Sequence, residues 1–259
     1  MANLEYKVPT FNPGPLKKEI MQALRDFTVD EQNIRYHEYT DGIITGCTLF
    51  EENMKIGLVN GIVKFAGRLY KLSGKTSVPY EPTEHWTVLK VRFSPQQQHR
   101  EYNIYTSELV LDTNTEIRPN ELEMGRFKLK QGSYLRTSYK NFWDMGTEYD
   151  TVNLLYVKQA AQFTATLSPE ITMHFAREAF PYIGEKPLDA AFCVACLQSG
   201  QSVSRDLIQQ YICTRKKRAY FEMDNAEIHQ ALAEILDELC GRAKSDMGKG
   251  RQNGVMLIN

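Results

Sequence analysis

The chain has 259 residues, of which 42% are hydrophobic, 24% charged and 11% aromatic. That is the composition of an ordinary globular protein, long enough to bury a sizeable core without metals or disulfides. Its 31 basic and 32 acidic side chains leave a formal net charge of -1, which argues against a strongly basic nucleic-acid binder, an acidic tail protein and a membrane-surface protein.

Residues 1–7 place no apolar core after a basic start, so no secretory signal is expected. A proline-flanked arm follows at 8–15. Residues 16–27 carry Ile20, Leu24 and Phe27 at helical spacing, with Asp26, Thr28 and Asp30 marking the helix end. From Gly42 the period changes. Strands are expected at 43–49, 56–65, 68–72 and 86–93. The last has Trp86, Val88, Lys90 and Arg92 on one face and Thr87, Leu89, Val91 and Phe93 on the other. Residues 102–105, 108–111, 124–129, 133–139 and 152–157 continue the series, and Gly57, Gly61, Gly67 and Gly74 fall where turns or bulges need a permissive backbone.

The third part reads as helices. Ser168-Pro169-Glu170 supplies an N-cap, a first-turn proline and a first-turn acid. Residues 188–197 form a second helix that Ser199-Gly200 stops. Ser204 caps a third, and Asp224 caps a fourth that runs to Leu239. The expected class is α+β: one helix, then an antiparallel β-sandwich or barrel, then a small helical bundle. The expected divisions are an arm and helix at 1–41, a β-rich domain at 42–160, a helical domain at 161–243 and a flexible tail at 244–259. No run approaches about 18 uninterrupted apolar residues, so no membrane helix is expected.

No catalytic, cofactor or metal residue emerges. Nucleophilic hydrolysis wants a serine or cysteine beside a base, and Gly200-Gln201-Ser202 sits between helices, not on a strand-to-helix elbow. Ser73-Gly74-Lys75-Thr76 lacks the upstream glycine of a phosphate loop. The carboxylate pairs Glu51-Glu52 and Glu121/Glu123 read as solvated, and the histidines His37, His85, His99, His174 and His229 are scattered. Cys193 and Cys196 make a CxxC with no second half at metal-ligand spacing, inside an apolar helix, so core packing is the expected role. With Cys47, Cys213 and Cys240 they are expected to be free thiols in a reducing compartment.

Two segments are candidate partner contacts. Arg215, Lys216, Lys217 and Arg218, followed by Tyr220 and Phe221, offer cations beside aromatics. Such a patch suits phosphates and bases, but a helix C-terminus also favours cations, and the second reading prevails. Val255, Met256, Leu257 and Ile258 are apolar after a polar stretch, and either dock on a sheet edge or neighbour or pack back on their own domain.

A family resemblance adds function. Asn60-Gly61-Ile62-Val63, Gly67-Arg68-Leu69-Tyr70 and Trp86-Thr87-Val88-Leu89-Lys90-Val91 resemble tail and baseplate proteins of phages and prophages of Gram-positive bacteria. Thr166-Leu167-Ser168-Pro169-Glu170-Ile171 with Phe175-Ala176, and Leu188-Asp189-Ala190-Ala191-Phe192, are similar to the helical C-terminal part of such proteins. The resemblance implies a non-enzymatic structural component of a tail or tail-like particle, working by protein–protein contact. It implies other assembly proteins and further copies of the chain as partners, and residence in the bacterial cytoplasm before assembly. A nucleic-acid-associated accessory role is the alternative.

Overall fold

The computed structural model describes residues 18–98, 103–198 and 202–242. The arm at 8–15, His99, Tyr102, the helix stop at Ser199-Gly200 and the tail at 244–259 lie outside the described residues. The chain divides into two compact units, Met1–Glu38 and Tyr39–Asn259.

The first unit contains α1 (Lys18–Tyr36). This helix runs well past the end expected between Asp26 and Asp30. Residues 28–36 hold no glycine or proline, so Thr28 and Asp30 only weaken the helix. Glu31 and Arg35 pair across one turn and support the last stretch.

The second unit begins with β1 (Gly42–Gly46), β2 (Leu49–Glu52), β3 (Lys55–Leu58), β4 (Gly61–Phe65), β5 (Arg68–Leu72) and β6 (Thr76–Pro79). Then come β7 (Thr87–Phe93), β8 (Gln97–Gln98), β9 (Asn103–Ile104), β10 (Ser107–Asp112) and β11 (Glu121–Phe127). These strands form three three-stranded antiparallel sheets, in the orders β1-β4-β5, β2-β3-β6 and β10-β7-β11, and a short β8-β9 pair. The α+β class therefore holds, while the pairing is distributed over separate sheets and is not one continuous closed barrel.

Local chemistry explains the breaks. The strand expected at 56–65 is two strands, β3 and β4, which belong to different sheets. A Cβ on Gly61 would lie 2.3 Å from the Cys47 amide nitrogen, so only glycine lets β4 pass this close to β1. Two-residue turns join β2 to β3 through Asn53 (φ 53°) and Met54 (φ 58°), and β4 to β5 through Ala66 (φ 47°) and Gly67 (φ 73°). Positive φ at both central residues matches the right-handed twist of the flanking strands. β6, absent from the sequence reading, ends in Pro79 and sits at a sheet edge, where a missing N–H is harmless.

The segments 133–139 and 152–157 are not strands. They run as irregular chain held by isolated bridges, Arg136 to Thr151 and Arg126 to Asn153 among them. Asp150 at φ 62° breaks the extended path between them. Val152, Asn153, Leu154 and Leu155 are all buried, so their apolar run reflects burial on both sides and not regular pairing.

Four helices follow: α2 (Pro169–Ala179), α3 (Pro187–Leu197), α4 (Arg205–Arg215) and α5 (Asn225–Leu239). The expected caps form. Ser168, Ser204 and Asp224 each accept a first-turn amide, and Asp224 and Glu227 close a reciprocal capping box. One hydrophobic cluster extends from Ile43, Ile56, Leu89 and Phe127 to Phe175, Ile208 and Leu232. Within it Phe142, Phe175, Phe192 and Tyr211 form a ring ladder, the last pair stacked at 3.8 Å.

The central strand β7 is buried along both faces. Its apolar face, with Leu89, Val91 and Phe93, meets the core. Its other face carries Lys90 and Arg92. The register sets Arg92 between Glu108 and Glu121, and Lys90 opposite Glu123. The expectation that Glu121 and Glu123 are solvated is corrected: both are buried. Lys90 is 0% exposed, and its Nζ lies 3.2 Å from Asp112 Oδ2, 2.8 Å from the carbonyls of Asn114 and Glu116, and 3.3 Å from Glu121 Oε2. Two side-chain turns shape the cage: Asp112 accepts the Asn114 amide and Asn114 accepts the Glu116 amide. Arg92 Nε donates to Glu121 at 2.9 Å, and Arg126 grips Glu123 with two bonds of 2.7 and 2.6 Å. Each buried charge is thus matched, which is the condition for tolerating it.

Substituting Lys90→Met leaves Glu121 and Asp112 without their ammonium and is expected to cost about 3–5 kcal/mol in urea unfolding. The same experiment on the wild type reads the titration. Burial pushes Glu121 up, but the Arg118 amide, Arg92 and Lys90 outweigh it and hold the carboxyl low. The Asn114 amide and Lys90 hold Asp112 low. A lowered carboxylate stabilises the fold above its unfolded value and loses that contribution as pH falls through its folded value. Burial likewise lowers His229, so the unfolded state takes up its proton first as pH drops below about 6.5. Glu170, raised by burial, opposes these groups over the carboxylate range. The urea midpoint is expected to begin falling below about pH 6.5 and to fall further below about pH 4.

Candidate functional site

The basic run expected to contact partners is largely engaged within the protein. Arg215, in the last turn of α4, pairs with Asp189 of α3 at 3.2 Å and with Glu238 of α5 at 3.2 Å. Lys216 pairs with Glu234 of α5. Asp189 is 1% exposed and also accepts a 3.0 Å hydrogen bond from the Tyr211 hydroxyl. Lys217 turns the chain at φ 53°, and the Arg218 amide closes the helix end on the Cys213 carbonyl at 2.9 Å. The run joins three helices, and Lys217 and Arg218 are its exposed members. The other candidate, Val255, Met256, Leu257 and Ile258, lies outside the described residues.

The remaining chemical candidates do not converge. Cys193 and Cys196 are 0% and 1% exposed on α3, and burial pushes each thiol up to about 12. Cys47 is buried and pushed up to about 11 for the same reason. Such thiols are protonated at neutral pH and are poor nucleophiles. His229 donates from Nε2 to the Phe142 carbonyl at 3.2 Å and stacks on the Phe142 ring at 4.5 Å. His174 packs edge-on to Tyr139 at 5.8 Å, and burial lowers its pKa. Among the described residues no group of three or more His, Cys, Asp or Glu is placed to hold a metal ion, and no helix is long and apolar enough to cross a membrane. Gly74, at φ 79°, and Lys75, paired with Glu52, lie on the link between β5 and β6 of different sheets, so the phosphate-loop fragment is an inter-sheet connection. Glu51 holds the Met54 amide and the Tyr80 hydroxyl.

Large apolar side chains stand exposed on α1, with the acids Asp30 and Glu31 on the same face. On α1, Phe27 is 63% and Ile34 79% exposed. They are seven residues apart, two helical turns, and so share one stripe. Met21 and Val29 are exposed on the same helix. Sequence reasoning identified Phe27 as apolar-face but stopped the helix before Ile34 joined it.

The sequence matches no protein-family model and no curated protein. Among solved structures, a crystal structure of TssK is 9% identical with a TM-score of 0.42, covering 93% of this chain and 70% of that one. A chain from the type VI secretion system TssK-TssF-TssG baseplate subcomplex, determined by cryo-electron microscopy, is 9% identical with a TM-score of 0.40, covering 92% of this chain and 100% of that one.

The helix-joining role of the basic run separates its members in a stability measurement. Arg215→Ala strips Asp189 of its cation in a buried site and is expected to cost about 2 kcal/mol. The double change Lys217→Ala/Arg218→Ala removes exposed charges and is expected to stay within about 0.5 kcal/mol of the wild type.

Proposed function

We propose that this chain is a structural component of a phage tail or a phage-derived, tail-like particle, acting at the baseplate or tail through protein–protein contacts. The observation that carries the reading is the exposed stripe of α1, where Phe27 and Ile34 stand in water on a helix within a compact unit of its own. Exposed aromatic and aliphatic side chains on one helical stripe suit a helix-to-helix contact. The sequence resemblance to tail and baseplate proteins of Gram-positive phages supplies the particle. The role is non-enzymatic, with other assembly proteins and further copies of this chain as partners, and cytoplasmic residence precedes assembly. The engagement of Arg215 and Lys216 with carboxylates counts against the accessory nucleic-acid role, because paired cations release fewer counterions.

Two measurements test this. Light scattering across a concentration series is expected to give a discrete oligomer, and Phe27→Asp/Ile34→Asp is expected to reduce its mass with an unchanged unfolding midpoint. A monomer at every concentration would remove self-association. Antibody detection in purified tail-like particles from the source cells is expected to be positive, and its absence there would overturn the particle role.

A further inference from the structure

A cleft of about 560 Å³ opens between the loop before α2, the start of α4 and the loop that precedes α5. Its lining combines two aromatic rings, two carboxylates and one guanidinium. Phe163 is 77% exposed at φ 65°. An aromatic residue gains nothing from burial in that position, and its left-handed backbone is unfavourable. Across the lining, Tyr220 is 47% exposed, and its hydroxyl donates to Gln209 Oε1 at 2.7 Å.

The polar groups define what the cleft accepts. Arg205, its one cation, directs three of its five N–H groups inward. Its Nε donates to the Ala165 carbonyl at 2.8 Å, its Nη1 to the Met223 carbonyl at 2.7 Å, and its Nη2 to Asn225 Oδ1. Gln209 is engaged too, receiving Tyr220 and donating to the Met223 carbonyl at 3.3 Å. The exposed charges are Asp206, which also faces the Tyr220 hydroxyl, and Glu222, which also lies within the field of Arg205. An anion would meet two exposed carboxylates there, with the one guanidinium drawn inward by three acceptors. A cation would meet carboxylates and π-faces together.

We infer that this cleft binds an arginine side chain presented by a partner polypeptide. Phe163 and Tyr220 supply faces on which a guanidinium stacks, and Glu222 with Asp206 accepts its N–H groups. A planar, weakly hydrated guanidinium suits an aromatic face better than the compact, strongly hydrated ammonium of lysine. The inference goes beyond the assembly reading and neither decides the other: a particle component without this site keeps its oligomer, and a chain absent from particles keeps its cleft.

The test is a two-dimensional amide NMR titration of the whole chain with blocked amino acids. N-acetyl-arginine amide is expected to give saturable shifts at residues around Phe163 and Tyr220, with a dissociation constant on the order of 1 mM. N-acetyl-citrulline amide has the same shape without the charge and is expected to give no saturable shift. Phe163→Ala, at an exposed site that leaves folding intact, is expected to weaken arginine binding about fivefold, and Glu222→Gln at least about twofold. N-acetyl-arginine keeps an α-carboxylate that Asp206 and Glu222 repel and has no α-ammonium, so it is expected to bind more weakly than the amide-blocked form. A flat arginine titration, equal response to citrulline, or undiminished binding in Phe163→Ala would overturn the site. Tighter binding of N-acetyl-arginine than of the amide-blocked form would overturn the polypeptide source.

Discussion

The placement of one ammonium group governs the strand-rich half. Lys90 lies at the middle of β7, the strand shared by the two pairings of its sheet, and has no exposure to water. An ion so placed is tolerable only where oxygen atoms replace its hydration shell. Two carboxylates and two backbone carbonyls do this, and they come from β10, β11 and the turn between them. The cage therefore fixes more than a charge. It sets the path of 112–121 and the register that puts Glu121 against Arg92. With the polar face closed in this way, the opposite face of the same strand is free to serve the core with Leu89, Val91 and Phe93.

The helical half is organised by a second set of inward-facing cations. Arg205 ties the chain at Ala165 to Met223 and to the first residue of α5, and Asn225 in turn donates to the Leu155 carbonyl at 2.7 Å. Arg215 ties α4 to α3 and α5. Arginine suits this work because one planar group offers five donors in fixed directions. Three helix-forming segments with short connections are thereby oriented without relying on apolar packing alone.

The sequence was most legible where structure is local. Ser168, Ser204 and Asp224 read as caps because a cap needs only its own next three residues. The strands at 68–72 and 86–93 read well because alternation and turn residues stand close together. Legibility fell where pairing partners are distant. Nothing near Ser133 or Val152 in the sequence says that these segments meet only through isolated bridges, and nothing near Glu121 says that Lys90 and Arg92 lie across the strand. The alternation of Glu121 and Glu123 was visible, but read alone it resembles any solvated strand edge. The ion pairs of the basic run were hidden in the same sense: Asp189, Glu234 and Glu238 are remote in sequence. The cleft bounded by Phe163 and Tyr220 has no sequence signal, because an exposed Phe at positive φ looks like any loop aromatic until the backbone is known.

The buried sulfurs give the molecule a built-in clock. Cys47 reports on the sheets, while Cys193, Cys196 and Cys213 report on the helices, and all four are shielded in the folded chain. A thiol raised by burial meets an alkylating reagent only when its surroundings open. The order in which the sulfurs acquire the label would therefore recount which half of the second unit loosens first, with no residue changed.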